Sequence, residues 1–171
     1  MTWSPLPVGV DDFEKLRKEQ YYYIDKTLFI KDLLDMKGEV NLFTRPRRFG
    51  KTLNMSMLRC FFEKDMPGQA ELFRGLQIME AGERYLAFMG RYPVISLSLK
   101  SMKQPSCELS FEMLKKEVGS EFARHWRQVE ESGKLTQAQK ERYLRIRDLR
   151  GVESDYADGL TFLSECLRLA E

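Results

Sequence analysis

The sequence contains few of the residues that build metal sites and disulfides. Its 171 residues include one histidine, His125, and three cysteines, Cys60, Cys107 and Cys166. The cysteines are far apart and form no CxxC pair, so neither a zinc site nor a disulfide framework is indicated. We expect the cysteines to be reduced core residues. We expect His125, beside Trp126 on an apolar helical stripe, to have a structural role.

Long apolar runs are also missing. The first twenty residues contain Asp11, Asp12, Glu14 and Glu19 and no apolar core. This composition predicts neither a secretory signal nor a transmembrane segment, and no membrane partner, so we expect a cytoplasmic location.

The chain carries little net charge. Its 28 lysines and arginines against 26 acidic residues give +2, with a pI near 8.4. Nucleic-acid-binding domains usually have a pI above about 9 and clustered basic residues. The overall charge therefore leaves the class of partner open, while 43% hydrophobic residues are typical of a globular protein.

Apolar residues at helical spacing predict several helices. Asp11 or Asp12 can cap a short helix that runs to about Glu19, and Asp25 can cap a second one that ends by Gly38. Later helical patterns lie in residues 108–132, 137–149 and 159–169.

Two segments alternate like β-strands. They are residues 39–44, EVNLFT, and residues 93–100 within YPVISLSLK. After Gly50 the apolar period becomes helical until the Pro67-Gly68 breaker. Strand, loop, helix and strand predict an α/β domain with a parallel sheet and flanking helices. Two strands are few for such a sheet, so we expect a domain that is incomplete at its C-terminal side.

The segment between the first strand and the next helix contains a partial phosphate-binding motif. Gly50, Lys51 and Thr52 match the end of GxxxxGK[ST], whereas Arg45 occupies the place of the first glycine. In such a loop the glycine lets the backbone approach a phosphate, the lysine reaches the β and γ phosphates, and the hydroxyl binds Mg²⁺.

The block RPRRFGKTLNMSML strongly resembles the signature of the bacterial AAA-ATPase-like family. Members of that family have an N-terminal P-loop domain, commonly followed by a PD-(D/E)XK nuclease-like domain. The blocks LPVGVDDFEKLRKEQYYYIDKT, LFRGLQI and YPVISLSLK are similar to other family segments, in the same order. Arginine at position 45 is usual in the family.

The resemblance implies a P-loop NTPase-like fold and a site for ATP and Mg²⁺. It implies that residues 1–171 form the N-terminal part of one such domain. The parts of that domain are a helical segment 1–38, a strand, P-loop and helix in 39–64, a second core strand 93–100 and a helical region 108–171. The implied nucleotide-binding residues are Arg47, Arg48, Phe49, Gly50, Lys51 and Thr52, with Thr52 also binding Mg²⁺ through its hydroxyl.

Asp25 and Lys26, in the YYYIDKT block, match family residues that we expect close to the nucleotide. Asp25 has an alternative role as the N-cap of the helix that follows, since aspartate is strongly favoured there.

No catalytic residue is identified. ATP hydrolysis requires an aspartate for the Mg²⁺ shell and a group that orients water. In the family, these acids follow an apolar strand that would come after the last helix here. VISLSLKS ends without a carboxylate, and VESDYADG lacks the apolar run. The full-length family is an ATPase family, but we expect this chain alone to bind ATP without turning it over.

An alternative function uses the basic cluster of Arg45, Arg47 and Arg48. These side chains could contact phosphates of a nucleic acid or bind another partner. The alternative predicts binding that weakens steeply with salt and is indifferent to ATP.

Overall fold

The structure is a computed structural model that describes residues 4–44, 46 and 49–171. The chain divides into two compact units, Met1–Val94 and Ile95–Glu171. The helices of the first unit are α1 (Phe13–Lys18), α2 (Leu28–Met36), α3 (Lys51–Phe62), α4 (Gln69–Phe73), a 3₁₀ turn (Gln77–Glu80) and α5 (Glu83–Leu86). Those of the second unit are a 3₁₀ turn (Leu99–Met102), α6 (Cys107–Ser132), α7 (Gln137–Arg147), α8 (Glu153–Ala157) and α9 (Gly159–Ala170).

The first unit packs around a cluster of aromatic rings. Phe13 of α1, Phe61 of α3 and Phe73 of α4 are fully buried. The ring centroids of Phe13 and Phe61 lie 5.1 Å and 5.4 Å from that of Phe73. The backbone amide of Phe13 also donates a 3.0 Å hydrogen bond to Ser56 Oγ on α3. These contacts fix α3, which begins at the predicted phosphate loop.

The second unit is a bundle built on the long helix α6. Ser106 caps its start by accepting a hydrogen bond from the Leu109 amide, and Gly133 ends it in a left-handed conformation with φ +62°. Phe122 of α6 packs against Tyr143 of α7, with ring centroids 4.6 Å apart. The Tyr143 hydroxyl is buried and donates a 2.8 Å hydrogen bond to the Phe122 carbonyl oxygen.

The predicted parallel sheet is wrong, because the structure has no β-strand among the residues it describes. Residues 39–44 have no strand pairing, and Val40 and Leu42 are 89% and 86% exposed. Residues 93–98 also lack regular structure, and the nearest approach to a sheet is one parallel bridge between Glu63 and Tyr92. An alternating pattern shows that a segment could be half buried in a sheet. The ladder hydrogen bonds must come from a neighbouring strand, which is absent from the described parts of both units.

The helix predictions are confirmed, with small shifts at the ends. Asp12 is the N-cap of α1 and accepts a 2.7 Å hydrogen bond from the Lys15 amide. Asp25 is not the N-cap of α2. Thr27 occupies that position without a side-chain capping bond. The long helix predicted over 108–132 is α6, which begins one residue earlier.

The three cysteines and the single histidine have different surroundings. Cys60 and Cys166 are buried and free, as predicted, whereas Cys107 is free but exposed at the start of α6. His125 is 3% exposed on α6, with its Nε2 2.9 Å from an Arg124 guanidinium nitrogen. Among the described residues, no cluster of three or more histidine, cysteine or acidic side chains could hold a metal ion. The described helices also include none long and apolar enough to cross a membrane.

A candidate phosphate-binding loop

The predicted phosphate loop ends in a turn that only glycine adopts readily. Gly50 has φ +75° and ψ 22°, a left-handed conformation that places α3 directly after it. The first hydrogen bond of α3 runs from the Asn54 amide to the Gly50 carbonyl oxygen, at 2.9 Å. Lys51 and Thr52 therefore occupy the first two positions of a 12-residue helix. The amides of such a first turn, together with the helix dipole, attract an anion.

The side chains at the loop are open to solvent. Phe49 is 59% exposed, and Lys51 and Thr52 are also exposed. Lys51 lines an open pocket of about 420 Å³. The other residues that line this pocket are mainly apolar and come from α2, α3 and the segment before the loop: Phe29, Leu33, Asn41, Phe43, Asn54, Met55 and Leu58.

A second lysine approaches the loop from the segment before α2. The Lys26 amine lies 4.0 Å from the position that a β-carbon on Gly50 would occupy. Lys26 is exposed, so its amine is accessible to a ligand at the loop. Lys26 and Lys51 thus bring two cationic side chains to the start of α3.

Asp25, next to Lys26, has a structural environment. Its Oδ1 accepts hydrogen bonds from the Thr27 amide at 2.8 Å and the Thr27 hydroxyl at 2.7 Å. Its Oδ2 accepts a 2.7 Å hydrogen bond from the Gln77 amide. Thr27, which is fully buried, in turn accepts a 3.1 Å hydrogen bond from the Ile78 amide through its hydroxyl oxygen. Asp25 and Thr27 therefore tie the segment that carries Lys26 to residues 77–78.

Tyr23 anchors the other side of Lys26. Its hydroxyl oxygen accepts a 3.3 Å hydrogen bond from the Lys26 amide, and its ring packs edge-on against Phe13. The hydroxyl also donates to Met57 Sδ on α3, at 3.4 Å. Burial raises the pKa of the Tyr23 phenol above its ordinary value.

The chemistry of these groups fits an anion better than a directly bound metal ion. Backbone amides and two ammonium groups are donors to phosphate oxygens. Among the described residues, no group of three or more histidine, cysteine or acidic side chains could hold a metal ion. Mg²⁺ that binds with a nucleotide is usually held in part by the phosphate oxygens.

The structure brings some of the predicted site residues together. Phe49, Gly50, Lys51 and Thr52 are contiguous at the start of α3, and Lys26 lies beside Gly50. The predicted positions Arg45, Arg47 and Arg48 lie outside the described residues.

Three residues that hold the Asp25–Lys26 segment were not predicted from the sequence: Tyr23, Thr27 and Gln77. The only available signal was the YYYIDKT block, which contains the first two. No pattern indicated the link to Gln77, which follows Asp25 by 52 residues.

Comparisons with known proteins identify the family of the chain. Residues 7–155 match the model of a family described as "Predicted AAA-ATPase". A protein of Azotobacter chroococcum mcd 1, named "Uncharacterized protein in vnfD 5'region", is 37% identical over 99 residues. Those residues are 57% of this chain and 17% of that relative, and no solved structure matches. The chain belongs to the predicted AAA-ATPase family, and this membership indicates a nucleotide-binding function in general terms.

Proposed function

We propose that this chain binds ATP together with Mg²⁺ through the loop that ends at Gly50 and the first turn of α3. The observation that carries the proposal is the left-handed Gly50 directly before Lys51 and Thr52 at the start of a 12-residue helix. Family membership supports a nucleotide as the ligand, independently of this geometry.

Each residue has a distinct role in the proposed site. Gly50 has no β-carbon, so a phosphate can approach its backbone closely. Lys51 contacts the β and γ phosphates as a point charge, and the Thr52 hydroxyl binds Mg²⁺. Mg²⁺, when bound, would offset the negative charge of the phosphate oxygens. Phe49, Arg47 and Arg48 precede the glycine in sequence and remain predicted contacts of the nucleotide.

We propose that these residues bind ATP, and we do not assign ATP hydrolysis to them. Hydrolysis needs a carboxylate in the Mg²⁺ shell and a group that orients water, and the sequence predicts no residue of this chain for either role. The chain spans about 17% of the relative it matches. We propose that turnover, and coupling to a nuclease-like effector, belong to longer members of the family.

Equilibrium titration of the 171-residue chain with Mg·ATP tests the proposal. Saturable binding that weakens when Mg²⁺ is removed supports it. In Thr52→Ala, the ATP affinities measured with and without Mg²⁺ should be much closer to each other than in the unmodified chain. Absence of saturable binding would contradict the proposal.

A second titration, with duplex DNA or RNA, separates ATP binding from the alternative based on Arg45, Arg47 and Arg48. Binding of duplex DNA or RNA that falls steeply with salt, falls further in Arg47→Ala and Arg48→Ala, and ignores added ATP would favour that alternative.

A further inference from the structure

We propose that Lys26 is a second phosphate-contacting cation of the nucleotide site and that Asp25 is the residue that positions it. This inference rests on the proposed ATP site and deepens it. It also separates the roles of two neighbouring residues, because Lys26 would contact the ligand and Asp25 would not.

The location of the Lys26 amine supports a contact between Lys26 and a phosphate. The amine lies 4.0 Å from the position of a β-carbon on Gly50, which is the space that a glycine leaves open for a phosphate. Its side chain is exposed and belongs to a segment remote in sequence from the loop. A phosphate over Gly50 would therefore have Lys51 next to it in the sequence and Lys26 from a separate segment, and each could donate charge-assisted hydrogen bonds.

The contacts of Asp25 support its role in positioning Lys26. Its carboxylate accepts three hydrogen bonds, two from Thr27 and one from the Gln77 amide, so both oxygens face neighbouring protein groups. A carboxylate engaged in this way is poorly placed to bind a Mg²⁺ ion. The Tyr23 hydroxyl holds the Lys26 amide from the other side, at 3.3 Å. Lys26 is thus an exposed residue between Asp25 and Thr27, which are both hydrogen-bonded to residues 77–78.

Fixing this segment has a consequence for affinity. A lysine side chain has four rotatable carbon–carbon bonds, and holding its backbone limits the volume that its amine samples. Less conformational freedom then remains to be lost when a ligand binds. Loss of the Asp25 hydrogen bonds would release the segment and weaken the contribution of Lys26, even with Lys26 intact.

The test is a set of Mg·ATP titrations of the full chain and its variants. Lys26→Met should lower affinity about tenfold, and Lys26→Arg should recover a large part of the loss because it keeps the charge. Asp25→Asn should lower affinity by a smaller or similar factor. The double variant should bind no more weakly than Lys26→Met alone, because Asp25 acts through Lys26. Lys64→Met removes one exposed charge beyond the far end of α3 and should bind like the unmodified chain.

The outcomes distinguish this inference from the proposed site. If the unmodified chain binds Mg·ATP and Lys26→Met binds equally well, the role of Lys26 is overturned while the ATP site stands. If the losses of Asp25→Asn and Lys26→Met add in the double variant, the positioning role of Asp25 is overturned. If the unmodified chain does not bind Mg·ATP, the proposed site fails and this inference fails with it. Thermal unfolding of Asp25→Asn identifies a variant that is not folded. In that case the Lys26→Met and Lys26→Arg pair decides the role of Lys26, and Thr27→Val, which removes the 2.7 Å hydrogen bond to Asp25 Oδ1, replaces Asp25→Asn in the double-variant comparison.

Discussion

Gly50 and Gly68 have nearly the same left-handed backbone, and each directly precedes an α-helix. Their φ and ψ angles are +75° and 22° for Gly50 and +71° and 16° for Gly68. A β-carbon on Gly50 would approach the Lys26 amine, whereas one on Gly68 would meet no atom within 4 Å. The two glycines therefore have equal conformational demands and different surroundings.

Alanine at either position should cost about 1 kcal/mol of unfolding free energy, because an L-residue is strained in this conformation. Only Gly50→Ala should also weaken Mg·ATP binding, since its methyl group would occupy space proposed for a phosphate. Chemical denaturation and ATP titration of both variants check this. Equal ATP affinities in the two variants would contradict the role assigned to Gly50.

The cysteines should differ sharply in reactivity. Burial raises the pKa of the Cys60 and Cys166 thiols to about 11, whereas Cys107 is exposed. The thiolate is the reactive form, so the two buried cysteines should resist a thiol reagent near neutral pH. We expect one fast-reacting thiol in the folded chain and three after denaturation. Cys107→Ser should abolish the fast reaction, and a fast reaction that persists in this variant would show that a buried thiol is accessible.

The buried hydroxyl of Tyr143 should stabilise the second unit. Tyr143→Phe removes its 2.8 Å hydrogen bond to the Phe122 carbonyl and should lower the unfolding free energy by about 1 kcal/mol. Tyr156→Phe is the matched control, because the Tyr156 hydroxyl makes a longer bond, 3.4 Å, to the Ile146 carbonyl. Urea denaturation followed by Trp126 fluorescence, with Trp3 replaced by phenylalanine, measures both. A larger loss in the control than in Tyr143→Phe would contradict the assignment.

Asp35 should make the stability of the first unit depend on pH. The hydrogen bond from the Tyr85 hydroxyl, followed by the contacts with Lys31 and Arg84, lowers the pKa of its carboxyl. A lowered pKa means that the unfolded state binds more protons in acid. The stabilisation is therefore present above the unfolded-state pKa of about 3.9 and is lost as the pH falls through the folded-state value.

Asp35→Asn should remove this contribution. The variant should be less stable than the unmodified chain near neutral pH and should lose less stability between about pH 5 and pH 3. Thermal unfolding across this range measures the difference. Parallel profiles for the two proteins would show that Asp35 does not carry the pH dependence assigned to it.

The features that could be predicted from the sequence are those set by neighbouring residues. The end of α6 at residue 132 and the cap of α1 at Asp12, one of the two predicted aspartates, depend on local backbone preferences, and the structure has both. The position of Lys51 at the start of a helix is likewise local. The predicted strand at 39–44 failed because a strand depends on a distant partner, which its own residues do not encode.

The same distinction holds within the candidate site. Gly50, Lys51 and Thr52 were predicted from a partial motif, from its place before an apolar helical pattern and from the family resemblance. The hydrogen bond from the Gln77 amide to Asp25 joins residues 52 positions apart, and neither has an unusual local pattern. The loop could therefore be predicted from the sequence, whereas the contacts that hold the Lys26 segment are visible only in the structure.

The central claim is that Lys51 binds the phosphates of ATP at the start of α3. Calorimetric titration of Mg·ATP into the unmodified chain, Lys51→Ala and Lys64→Ala tests it most directly. Each variant removes one exposed lysine charge. Lys51 is the first residue of α3, and Lys64 lies just after its last residue. We predict that Lys51→Ala weakens binding by at least about tenfold, the effect of losing a charge-assisted hydrogen bond, and that Lys64→Ala binds like the unmodified chain. Equal affinity in Lys51→Ala and the unmodified chain would contradict the account.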